Sequence, residues 1–187
     1  SLVGAIHLNP TDGALLVSDP VSIIRLGDSP LTILADTSMG EGRVLDVTPS
    51  GGDVSIEGLT LSGGRVPSDA GGAIRFLSTG TLSITNSTLS GNSASGSGGG
   101  IYMNSNGDLS IVNSIFSENR ADVRGGGLNN ASLNTEITNS TFSDNTADIE
   151  GGAIYIDADG MVITGATFHN NSAGFNAGAI YQNADNT

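Results

Sequence analysis

The sequence predicts an all-β fold, a parallel solenoid in which coils of 26–27 residues stack on one another. Three observations carry this. "FSENRADVRGGGL" (116–128) and "FSDNTADIEGGAI" (142–154) are near-copies 26 positions apart that differ mainly in their charged residues. Apolar residues inside each repeat alternate with period two, as in "AIRF" (73–76) and "LSIT" (82–85), which is the pattern of half-buried strands. Gly, Ser, Thr and Asn break every apolar run, and that composition disfavours helix. Three short strands per coil follow from the pattern, each pairing with its equivalent one coil away.

Taken along the chain, the first third is looser than the rest. "GAIHL" (4–8) reads as an early version of the "AIRF" strand, and "RVLDV" (43–47) as another at a longer interval. Loops fall at Asp19-Pro20, at Ser29-Pro30 and in the "TSMGEG" run. Val54, Ile56 and Leu61 begin the regular pattern. Residues 1–187 are thus read as one segment, with irregular first coils over 1–52, regular coils over 53–187 and an incomplete last coil. Beyond residue 53 one apolar column runs Ile74, Ile101, Leu128, Ile154, Ile180, and a second runs Leu89, Phe116, Phe142, Phe168. Asparagine columns keep the same step: Asn92, Asn119, Asn145, Asn171 and, separately, Asn86, Asn113, Asn139. Stacked asparagines are expected to hydrogen-bond coil to coil through their amides. Glycines ahead of each "GGAI"-type tetrad supply the corner. The repeated letters are therefore core and corners, and the variable charged letters face water.

Composition narrows the partners. Nineteen acids against six arginines, with no lysine, give a net charge of −13. Such a chain repels nucleic-acid phosphates and anionic membrane surfaces, so neither nucleic-acid binding nor direct membrane insertion is expected. Cysteine is absent, which removes disulfides and thiolate metal sites. The chain starts at Ser rather than Met and reads as a processed or excised piece.

The pairing of "GGAI" (71–74, 151–154) with "FSEN" (116–119), "FSDN" (142–145) and "FHNN" (168–171) resembles the polymorphic outer-membrane protein repeats of chlamydiae. "LSITNSTLSGNSASGSGGGIY" (82–102) resembles, more widely, prokaryotic surface proteins with right-handed parallel β-helix repeats. The resemblance covers about residues 44–182. It implies a right-handed winding, an extracellular or cell-surface location, and an adhesive or scaffolding role toward a receptor or glycan. The incomplete last coil, with its open strand edge, is expected either to continue into further coils or to stack head to tail on copies of the chain as a filament. In the chlamydial repeats the two motifs are tied to adhesion, whereas here their Ile and Phe residues occupy predicted core columns.

No catalytic residue emerges. The alternative is a polysaccharide lyase or hydrolase or a carbohydrate-binding module, and the enzyme needs clustered acids beside a basic group. Arg75, Arg120 and Arg124 show no acids gathered around them outside the regular columns, and Tyr102 with Tyr155 is the best outward pair for stacking on sugars. His7 and His169 lie far apart in sequence. No cofactor is expected. The candidate metal ligands are Asp157 and Asp159 in the turn "DADG", which suit a structural Ca2+ but lack a downstream bidentate Glu. Arg124 and Glu150, at equivalent positions on adjacent coils, are placed to pair, while Asp122 with Asp148 and Glu118 with Asp144 are placed to share a cation. Asn-x-Ser/Thr triplets at 86–88, 130–132 and 139–141 would carry glycans only if exposed, and Asn86 and Asn139 are assigned to the ladder instead.

Overall fold

A computed structural model describes residues 4–8, 14–35, 41–50, 52–132, 134–158 and 160–183. Among them every strand pairs in parallel, in four sheets of seven, six, five and seven strands. One coil sets the pattern: Ile74–Phe76 in a first sheet, Thr81–Thr85 in a second, Thr88–Ser90 in a third and Ser93–Ala94 in a fourth. The first three are the strands predicted, and the fourth is an addition of two residues. In the regular coils each strand pairs with its equivalent in the coils before and after, so that Ile101 lies between Ile74 and Leu128, and Phe142 between Phe116 and Phe168. "RVLDV" falls in the first sheet, where Leu45 pairs with Ile74 and Val47 with Phe76.

"GAIHL" does not join that sheet. Gly4–Leu8 pairs with Leu31–Ala35, and Leu31–Ala35 with Leu59–Ser62, which places it in the third sheet. The reason lies in the coil length. Ile6 to Ile33 is a step of 27 and Ile33 to Leu61 a step of 28, whereas Leu15 to Leu45 is 30 and Leu45 to Ile74 is 29. Six residues separate Val21–Ile24 in the second sheet from Leu31–Ala35 in the third, where one separates Val54–Glu57 from Leu59–Ser62, so the extra length of the early coil lies between the second and third sheets.

Alternation turns one set of side chains inward to a continuous apolar core. Ile74, Phe76, Leu82, Ile84, Leu89 and their apolar equivalents from Leu45 to Ile156 are buried, while Met161, Ile163, Phe168 and Ile180 of the last coil are partly buried. Since the backbone stacks at one strand spacing, so do the rings on it. The Phe116 and Phe142 rings lie 4.7 Å apart at 13°, and those of Phe142 and Phe168 lie 5.2 Å apart at 11°. Each such pair contributes about 0.5–1.5 kcal/mol beyond the area it buries.

The two asparagine columns part ways. Asn92, Asn119 and Asn145 are buried. The Asn119 Nδ2 donates to the Leu89 carbonyl at 2.9 Å and to Asn145 Oδ1 at 3.0 Å, while its Oδ1 accepts from the Asn92 Nδ2 at 3.0 Å and the Asn92 N–H at 3.2 Å. Both donor hydrogens and both lone pairs are used, the full capacity of the amide. Asn145 repeats the pattern with Asn171. Asn86, Asn113 and Asn139, by contrast, are exposed, and among the described residues their amides make no hydrogen bond. The amide ladder expected there is corrected. All three sit at φ of 50°, with Gly58 and Gly165 at 70° and 66° in the same column. The corner between the second and third sheets needs a left-handed residue, and Asn and Gly tolerate that conformation.

The polar ladder at this corner belongs to the next residue. Ser87, Ser114 and Ser140 are buried. The Ser114 hydroxyl donates to the Val112 carbonyl at 2.8 Å and accepts the Ser87 N–H at 3.2 Å; Ser140 does the same for Ser114. A corner N–H that no strand can satisfy is thereby paired across the coil boundary.

Three outcomes are expected from denaturant melts. Phe142→Asp unfolds the chain, because a charge in the stacked ring column has no partner. Asn119→Ala costs on the order of 3–5 kcal/mol by stranding several buried polar groups at once. Asn113→Gly keeps the corner at little cost, whereas Asn113→Ala loses about 1 kcal/mol. Equal effects of the last two would show that an amide contact, not the left-handed corner, matters at that position.

Candidate functional site

The outward face of the first sheet collects the densest set of chemical groups. Asp46, Arg75 and Tyr102 are register partners on successive strands. Asp69, from the segment ahead of the "GGAI" corner, reaches the same place. Arg75 holds Asp46 through two hydrogen bonds of 2.9 and 2.7 Å and also bonds Asp69. Arg43 bonds Asp69 at 2.9 Å and lies 3.5 Å from Asp46, while donating to the Gly71 and Ala70 carbonyls. Two arginines and two aspartates thus form one half-buried network. The sequence reading that no acids gather around Arg75 is corrected here. Arg43 was missed because it lies in an irregular coil, and Asp69 because the later coils hold Gly96 and Val123 at its place, so no repeated charge marks it.

The electrostatics of this network limit its chemistry. Burial alone would raise Asp69, but the Ala70 N–H, the Arg43 hydrogen bond and both guanidinium charges outweigh it and hold the carboxyl below its ordinary 3.8. Arg75 is held more firmly protonated, first by its hydrogen bonds to Asp46, with burial opposing. A general acid requires a raised carboxylate and a general base a group poised near the working pH; Asp69 and Arg75 are both displaced the other way.

Farther along the same face the aromatic pair is not a platform. Tyr155 is 4 % exposed: Tyr181 stacks on one side of it at 5.5 Å, and the Arg124 guanidinium lies 4.8 Å from its ring centre. Burial raises the Tyr155 hydroxyl above its usual value, with Arg124 acting against it. Tyr102 is two coils away, separated by Asn129. With its neighbours so close, Tyr155 has no ring face free to stack on a sugar beside Tyr102.

The other predicted charges pair as arginine bridges. Arg124 Nε bonds Glu150 at 3.0 Å. Arg120 reaches both Asp122 at 3.1 Å and Asp148 at 2.9 Å, supplying the positive charge that a shared cation would otherwise provide. Glu118 and Asp144 instead occupy left-handed corners, at φ of 57° and 56°. His169 is exposed in the Ser117/Ser143 column. Asp157 accepts a hydrogen bond from Asn183 at 2.8 Å, and Asp159 lies outside the described residues. Among the described residues no three His, Cys, Asp or Glu side chains are grouped to hold a metal.

A shallow groove follows the outward face of the second sheet. Ser22, Ser55, Thr81, Ser83 and Asp53 line one stretch; Thr81, Asp108, Ser110, Asn134, Glu136 and Val162 line the next. Asp53 accepts the Thr81 N–H at 2.7 Å, and Asp108 accepts the Asn134 amide at 2.7 Å. Hydroxyls and carboxylates at one-coil intervals make this a hydrogen-bonding surface of negative character. It was missed because outward Ser and Thr carry no periodic signal distinct from ordinary strand exteriors.

These features hang on a winding whose hand the strand pattern alone does not give. Over residues 45–187 the chain matches the family described as a right handed beta helix region. It belongs to that family. Comparison with curated proteins and with solved structures returned no match. The coils of this β-helix accordingly wind right-handed, and the features above stand on its outer faces.

The charged network makes a pH-dependent contribution with a defined sign. Because Asp69 titrates lower when folded, what it adds to stability is complete above the unfolded value near 3.8 and is lost as pH falls through the folded value. The gap in melting temperature between wild type and Asp69→Asn is therefore expected to be steady at neutral pH and to close below 3.8. A gap that persists in acid would show that Asp69 acts only by packing.

Proposed function

We propose that this β-helix is an extracellular scaffold and adhesive segment displayed on a prokaryotic cell surface, engaging a receptor or glycan, or further copies of itself end to end. One observation carries the reading. The buried Asn92 and Ser87 columns of the regular coils are occupied in joining coil to coil, and the outward Arg75, Arg120 and Arg124 are occupied in ion pairs. A molecule so arranged is built for length and rigidity. The likeness to chlamydial repeats supports the surface location.

The adhesive residues differ from those the likeness suggests. Ile74, Ile154, Phe116, Phe142, Asn119 and Asn145 point into the core, so the "GGAI" and "FxxN" motifs act through the fold. Contact with a partner falls to the outward columns, above all the groove of the second sheet. Its carboxylates favour a neutral or cationic ligand over an acidic polysaccharide.

Two measurements test the reading. Immobilised protein is expected to retain cells or bind neutral glycans, and Asp108→Lys with Glu136→Lys to abolish that binding without altering the melt. Incubation with a panel of acidic polysaccharides, with and without calcium, is expected to release no reducing or unsaturated ends. Turnover lost on Arg75→Ala would replace the scaffold reading with an enzymatic one.

A further inference from the structure

The triplets Asn-x-Ser/Thr sort sharply once their surroundings are known. Asn86 and Asn139 stand exposed at the corner between the second and third sheets, in the left-handed conformation at φ of 50°. Asn170, in the triplet Asn170-Asn171-Ser172, stands exposed at the next corner with φ of 54°. Among the described residues none of the three amides makes a hydrogen bond, so each Nδ2 is free. The hydroxyl residues two positions on lie outward: Thr88 and Thr141 half-buried in the third sheet, and Ser172 exposed in the fourth.

Two further asparagines act as internal contrasts. Asn113 occupies the same corner with the same φ of 50°, but Ile115 stands where its neighbours have threonine. It has the geometry without the hydroxyl. Asn130 has the hydroxyl, in Ser132, without the geometry. It is fully buried, its Nδ2 donates to Thr135 and its Oδ1 accepts the Ser132 N–H at 3.0 Å.

We infer that Asn86, Asn139 and Asn170 are acceptor sites for N-linked oligosaccharide, and that Asn113 and Asn130 are not. In the transfer the asparagine Nδ2 forms a bond to the anomeric carbon of a polyisoprenyl-pyrophosphate-linked oligosaccharide. The anomeric C–O bond breaks, the polyisoprenyl pyrophosphate departs, and the amide proton passes to a base of the transferring enzyme. Asn86 and Asn139 lie two coils apart, about 10 Å along the axis. Their glycans would project from one edge of the solenoid and leave the first sheet bare. Occupancy in the native cell rests on the export reading above, whereas acceptor competence does not, and the following experiment measures only the latter.

The chain is secreted from a eukaryotic host that N-glycosylates exported proteins, using that host's own lipid-linked oligosaccharide, and glycopeptides are mapped by mass spectrometry. Sugar is expected on Asn86, Asn139 and Asn170 and absent from Asn113 and Asn130. Ile115→Thr is expected to add a fourth glycan, at Asn113, without loss of β-sheet signal. A secreted chain bare at all three sites, a folded chain carrying sugar on Asn130, or secretion obtained only with Asn130→Gln would each overturn the inference.

Discussion

The transfer of hydrogen bonds from one coil to the next governs this molecule. Each backbone strand satisfies its neighbours along the axis rather than across a compact core, and the buried Asn92 and Ser87 columns follow the same direction. The Asn92–Asn119–Asn145–Asn171 line is the strictest case, since a shift of one residue in any coil would put an outward residue such as Gly91, Glu118 or Asp144 where the next amide should be and leave a buried amide without partners. The apolar columns fix the register with it, since a one-residue slip would turn Leu89 or Phe116 outward and bring serine or threonine in. The extra residues of the early coils lie in the loop from Arg25 to Pro30, between the second and third sheets and outside these columns.

The outer surface follows from that interior. A backbone locked in register puts outward residues at one-coil intervals, so charges of one sign accumulate in rows unless an opposite charge is set among them. The six arginines are few, and those near acids are placed economically. Arg120 bridges acids of two coils, Arg75 and Arg43 share two aspartates, and Arg124 serves both Glu150 and the Tyr155 ring. Glu118 and Asp144 meet a different constraint, in a corner that the earlier coils fill with glycine, at Gly63 and Gly91. The acidic side chains there are compatible with the turn because they project into water.

The repeat architecture was legible in the sequence because stacking repeats its own spacing: Ile74 to Ile101 and Phe116 to Phe142 announce both the strand and its partner. What an asparagine does within the repeat was not legible. Asn119 and Asn113 recur at the same interval, yet one fills the interior and the other turns a corner. The difference depends on backbone conformation, for which periodicity carries no sign. Neighbours did hold a clue, since glycine substitutes for asparagine at positions 58 and 165 in the corner column. The serine ladder was hidden by the abundance of serine on the outside. The Arg43–Asp69 pairing was hidden for the opposite reason: it occurs once, at a separation of 26 residues, and no later coil repeats either charge. Asn130, which replaces an apolar core residue, is matched by Ser132 and Thr135 in a coil that runs five residues from Asn130 to Thr135 where the one before runs six from Met103 to Leu109.

The orientation of the strands gives the molecule an unusual response to tension. Every strand lies across the long axis, so each coil occupies only about 4.8 Å of length. A coil of 26 residues, as from Ile154 to Ile180, contains chain that extends to on the order of 90 Å once pulled straight. Force applied to the two termini would therefore peel coils from an end in succession, each detachment lengthening the tether nearly twentyfold over the height it had occupied. A segment built this way is stiff while intact and becomes a long compliant leash under overload. It dissipates a pull in discrete steps instead of passing it undiminished to whatever the far end grips.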